Sequence, residues 1–123
     1  MIEDDLINQL RKMIEYTKKN RIPWKFLNEQ TYRWVKQETL KNNQIITTIQ
    51  YAGRHSRISK NNETEAFEYY ILNIQSTNPA ELLLQITSNE ESHADLLTEV
   101  FNAAREASKV TTADVLKNLL NDV

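Results

Sequence analysis

The side chains able to carry chemistry are few. The 123-residue chain has two histidines, His55 and His93, no cysteine and one glycine, Gly53. Without cysteine there is no thiol nucleophile, no disulfide and no thiolate-ligated zinc or iron–sulfur centre. A single glycine excludes the loops that close backbone N–H groups on a phosphate, both the Walker A type and the dinucleotide fingerprint. The histidines stand 38 positions apart, in neither an HxH nor an HxxxH arrangement, whereas a metal needs ligands at convergent spacing. His93 has Glu90 three residues before it and Glu91 and Asp95 two residues away; only the first shares a helical face with it. It reads as a helix-start histidine near water. Ser56 follows His55 in "RHSR", but neighbours in an extended chain point apart, so they do not make a nucleophile–base pair. Nothing selects two of the 17 acids as a catalytic pair. The expectation is a protein that is not an enzyme, with no cofactor and no metal.

Binding chemistry is better represented. Arg54, His55, Arg57 and Lys60 fall within seven residues and are followed by Glu63, Glu65 and Glu68. Cations and carboxylates on the two arms of a hairpin face one another, so a solvated, partly self-neutralised hairpin is expected rather than a phosphate-gripping loop. The connecting loop, taken as 54–62, is the expected mobile segment and a candidate contact for an acidic partner. The following strand alternates, with Phe67, Tyr69 and Ile71 on one face and Tyr70, Leu72 and Ile74 on the other. Both faces are apolar, so both need cover; this suggests a homodimer or a groove awaiting another protein. A second stretch, "KKNRIPWKFLNEQTYRWVK", interleaves Lys18, Lys19, Arg21, Lys25, Arg33 and Lys36 with Trp24, Phe26, Tyr32 and Trp34. Cations neutralise phosphates and aromatics stack on unpaired bases. The competing reading places those aromatics in the core and the cations on the outward face.

The elements that position these residues follow from periodicity. Residues 3–20 carry apolar side chains at Leu6, Ile7, Leu10, Met13 and Ile14, the spacing of an amphipathic helix, stopped by Pro23. Short alternating runs follow at 23–27, 31–38, 44–52, 66–75 and 82–87, with turn residues Asn42, Asn43 and Pro79 between them. After Ser88, a cap candidate with Glu91, helical spacing returns. A second start signal, Thr111 with Asp114 and the staple pair Val110 and Val115, predicts a separate last helix whose Leu116, Leu119 and Leu120 reach the core. The reading is α+β: an N-terminal helix, a four- to five-stranded antiparallel meander and two C-terminal helices, a two-layer sandwich over residues 1–123 as a single domain.

Net charge is −2, yet residues 1–60 carry 12 Lys and Arg against 6 Asp and Glu, and residues 61–123 carry 3 against 11. Opposite halves of one fold attract each other. No run approaches the roughly 18 apolar residues that span a bilayer, and the acidic start is unlike a secretory signal. A cytoplasmic protein is expected, with no membrane partner. The abundance of Asn and Ile fits an AT-rich prokaryotic or phage genome. The function these features suggest is a small non-catalytic protein-binding module, accessory or regulatory. The alternative is a nucleic-acid-associated regulator using the basic first half.

Overall fold

The structure is a computed structural model and describes residues 2–38, 42–89 and 91–123. The elements run α1 (Ile2–Lys18), β1 (Lys25–Asn28), β2 (Thr31–Gln37), β3 (Gln44–Ile58), β4 (Thr64–Thr77), β5 (Ala80–Thr87) and α2 (Glu91–Asn121). The strands form one antiparallel sheet in the order β1-β2-β3-β4-β5, as short connections require. Among the described residues no helix is long and apolar enough to cross a membrane.

α1 ends as its sequence dictates. Asn20 takes a positive φ of 58°, and Arg21 N–H donates to the Tyr16 carbonyl at 2.9 Å. This left-handed cap satisfies a terminal carbonyl. Leu10, Ile14 and Thr17 are buried, and α1 packs on α2 rather than on the strands. α2 in turn lies across all five strands. Under it the register lines up one apolar row, Tyr32–Ile49–Leu72–Ile86, every member of it buried. Leu97, Val100, Phe101, Ala104 and Ala107 of α2 close on this row. Tyr32 meets Phe101 edge-on at 5.3 Å, an arrangement the ring quadrupoles favour, and Tyr70 lies tilted against the same ring at 5.2 Å.

Four expectations need correction. The segment 54–62 is not a long loop: β3 continues to Ile58 and β4 begins at Thr64. The ladder survives because a register shift between Tyr51 and Arg54 absorbs Gly53, whose φ of 91° suits a bulge in which only glycine is unstrained. The turn proper is 59–63. The last two helices are one. Thr111 does not cap; its hydroxyl bonds back to the Ala107 carbonyl at 3.3 Å and that of Thr112 to Ser108 at 2.9 Å, a mid-helix arrangement that leaves the ladder unbroken. Ser88 does not serve α2 with its side chain either: its buried Oγ accepts from Tyr70 N–H at 2.9 Å. Finally, Leu116, Leu119 and Leu120 do not reach the core, and Val110 and Val115 are exposed too. The reason is length. At about 1.5 Å per residue, α2's 31 residues span about 46 Å, whereas five strands about 4.8 Å apart make a sheet about 19 Å broad. The helix overhangs.

Candidate functional site

The β3–β4 hairpin runs past β2 and β5 as a two-stranded arm, and it sorts the candidate residues by face. His55, Arg57, Phe67 and Tyr69 come together on the face of the arm opposite to that of Tyr70 and Leu72. His55 stacks on Tyr69 at 4.3 Å, Phe67 meets Tyr69 edge-on at 6.1 Å, and the Arg57 guanidinium lies 4.4 Å above the Phe67 ring. His55 Nε2 lies 3.1 Å from the Ala52 carbonyl. Arg57 also pairs with Glu65 at 2.8 Å and Glu91 at 3.7 Å and donates to the Ser88 carbonyl. Ile71 continues this face and is half-buried; Lys60 sits exposed in the turn. Arg54 does not join them. It turns to the helix side, where it pairs with Glu68 at 3.2 Å. These ion pairs each join a cation of the basic half to a carboxylate of the acidic half, so the arm's charge is spent largely on itself.

Glu68 is the best-held carboxylate of the arm. It accepts from the Tyr51 hydroxyl and from Arg54 Nε. The Tyr51 hydrogen bond first, with Arg54 adding to it, holds the Glu68 carboxyl below its ordinary range; the same bond pushes the Tyr51 phenol up. A carboxyl whose folded pKa lies below its unfolded value stabilises the fold fully above the unfolded pKa, and that contribution is lost as pH falls through the folded one. Glu68→Gln is therefore expected to lower the melting temperature at about pH 7, with the gap closing below about pH 4, where unfolded glutamate itself protonates. Melts of both chains across this range check it; a gap that stays constant or widens on acidification counts against the carboxylate as its source.

The nucleic-acid candidates do not share a patch with their aromatics. Trp24 and Tyr32 are buried and Trp34 is half-buried against Trp24 at 6.2 Å. Lys25 and Arg33 are register partners on β1 and β2; Lys36 lies further along β2 on the other side of the pleat; Lys18, Lys19 and Arg21 cluster at the end of α1, where Arg21 lies over Tyr16. Only Phe26 of the four aromatics is well exposed. Among the described residues no three His, Cys, Asp or Glu converge as a metal-holding group. His93 is not near water: it is buried on the α2 face that carries Leu97 and Val100, and neither ring nitrogen has a hydrogen-bond partner among the described residues.

The surface that sequence reasoning missed is the overhanging end of α2. Val115, Leu116, Leu119 and Leu120 are 52–62% exposed and, with Val123, form one stripe. At about 100° per residue, this stripe is rotated by about 100° from the face through which residues 93–108 meet the sheet. The rotation was readable: a helix whose apolar side turns in mid-length cannot bury both halves on one sheet. Beside the stripe, between α2 and β1, runs a groove. One part, of about 510 Å³, is lined by Phe26, Tyr32, Arg105, Ser108, Lys109 and Thr112. The adjoining part, of about 320 Å³, adds Lys25, Thr111 and Val115. No family model, characterised protein or solved structure matches the chain.

Proposed function

We propose that the protein is a small non-catalytic interaction module that works through protein–protein contact, with the extension of α2 as its working surface. The observation that carries this is the exposed stripe. Leu119 and Leu120 are each 62% exposed on a helix whose buried residues end at Ser108. A contiguous apolar surface on a folded element marks an interaction site, and apolar anchors at helical spacing are the pattern by which helices enter partner grooves. The lack of a nucleophile–base pair or a ligand constellation in the sequence supports a role without chemistry. The nucleic-acid alternative is less well supported, because its stacking residues Trp24 and Tyr32 lie in the core.

The test is Leu116→Glu combined with Leu119→Glu. Both positions are exposed, so folding should cost no more than about 0.5 kcal/mol at concentrations too low for association. The doubly substituted chain is expected to keep a cooperative melt and to lose every association the parent shows, in sedimentation and in affinity capture from extract. Association unchanged by the substitutions overturns the reading.

A further inference from the structure

Resting on that reading, we propose that the occupant of the surface is a second copy of this chain, docked so that the two α2 extensions cross antiparallel and each lies in the other's groove between α2 and β1.

The groove and the stripe are two parts of one surface. Thr112 and Val115 line the groove, and the next positions on that side of the helix, Leu116, Leu119 and Val123, belong to the stripe. A two-fold axis relates a surface to itself, so a residue that contacts a second position is contacted by that position in return. Place the axis between Val115 and Leu116. Thr112 then lies level with Leu119 of the second copy, Thr111 with its Leu120, and Ser108 with its Val123. Of these, Thr112 and Ser108 lie on the seam and face the large Leu119 and Val123 of the second copy, which is the complementarity that close helix packing requires.

The charges fit the same register. The groove is rimmed by Lys25, Arg105 and Lys109. Among the described residues Lys25 and Arg105 have no carboxylate within ion-pair distance, while Lys109 pairs with Glu106; Arg105 instead donates to Asn102 and lies over Phe101. Asp122 sits on the flank of the stripe that turns toward the body, and in this register it comes over the part of the groove that Lys25 lines. Opposite charges placed in this way fix register and orientation. The remaining charges of the extension, Asp114 and Lys117, are opposite in sign and point away from the seam, Asp114 beside Ile22 and Pro23, so they do not set the two copies against each other.

The chain's freedom from cysteine allows a direct test. Thr112→Cys and Leu119→Cys are made separately and mixed before mild oxidation. In the antiparallel register the mixture gives a disulfide-linked heterodimer, and neither variant alone gives a covalent dimer: two copies of position 112 lie about 10 Å apart along the axis, beyond the Cα reach of a disulfide, about 4.4–6.8 Å. The parent is expected to sediment at twice its 14.4 kDa. Asp122→Lys should raise the dissociation constant about tenfold, because the symmetry places the like-charge contact twice, and Lys25→Asp in the same chain should restore it. A parent that stays monomeric, cross-links in each single variant alone, or no rescue by Lys25→Asp overturns the antiparallel copy. The broader reading then stands or falls separately, on whether Leu116→Glu with Leu119→Glu removes capture of another protein.

Discussion

Trp24→Ala is expected to bring the chain to the edge of unfolding. Trp24 has 0% of its surface exposed and precedes β1 in the connection from α1. Its ring packs against Trp34 at 6.2 Å, and its Nε1–H donates to the Thr17 hydroxyl at 3.0 Å. That hydroxyl donates on to the Met13 carbonyl at 2.7 Å. Since α1 packs on α2 and not on the strands, this chain of contacts ties the end of α1 to the sheet. Removing a buried tryptophan side chain costs about 3–5 kcal/mol, against a total stability of about 5–15 kcal/mol for an ordinary domain. Trp24→Phe separates the two contributions: it keeps most of the ring and loses the hydrogen bond, so about 1–2 kcal/mol should go. Urea denaturation of the three chains checks both figures. A Trp24→Ala chain within about 1 kcal/mol of the parent would show that the site collapses and refills, and that α1 is held by α2 alone.

Asn43→Leu is expected to cost about 2–4 kcal/mol, from hydrogen bonds rather than from volume. Asn43 is 8% exposed. Its Oδ1 accepts from Thr77 N–H at 3.0 Å, the Thr77 hydroxyl at 3.2 Å and Asn78 N–H at 2.8 Å. Its own carbonyl accepts from Glu38 N–H at 3.0 Å and Gln37 Nε2 at 2.9 Å. One residue thus joins the β2–β3 turn to the β4–β5 turn. Leucine fills the space and leaves the Thr77 and Asn78 N–H groups without their part-buried acceptor, and donors left without a partner are what make such a change expensive. Asn43→Asp keeps the acceptor and should lose less than half as much. Equal losses for the two substitutions would mean that packing, not the acceptor, matters at this position.

The sheet was legible because its strands alternate and its connections are short. Tyr70, Leu72 and Ile74 could be assigned to one face of β4 from spacing alone, and the opposed charges of the arm foretold the pairing of Arg57 with Glu65. What was not legible depended on distance or on what covers a surface. The hydrogen bonds of Asn43 reach 34 and 35 positions along the chain, and no local pattern announces them. Thr111 looks the same from sequence whether its hydroxyl caps a helix or bonds back within one; only continuity of the backbone decides. The apolar residues from Val115 to Val123 announce a face to be covered but not by what. A glycine followed by a polar run resembles a loop, whereas Gly53 supplies the bulge that lets two strands stay paired beyond the rest of the sheet.

The placement of α2 sets the order in which the molecule can assemble. The β3–β4 hairpin closes through a five-residue turn, at 59–63, so its ladder can form early and locally. The core cannot. Among the described residues, α2 is the helix that packs on the strands carrying Tyr32, Ile49, Leu72 and Ile86, and α1 has its packing partner in α2. During synthesis both the helix and the sheet made before α2 therefore wait with their apolar faces open. A nascent chain stopped before about residue 93 would hold a hairpin and an unpartnered helix, a form open to chaperones and proteases.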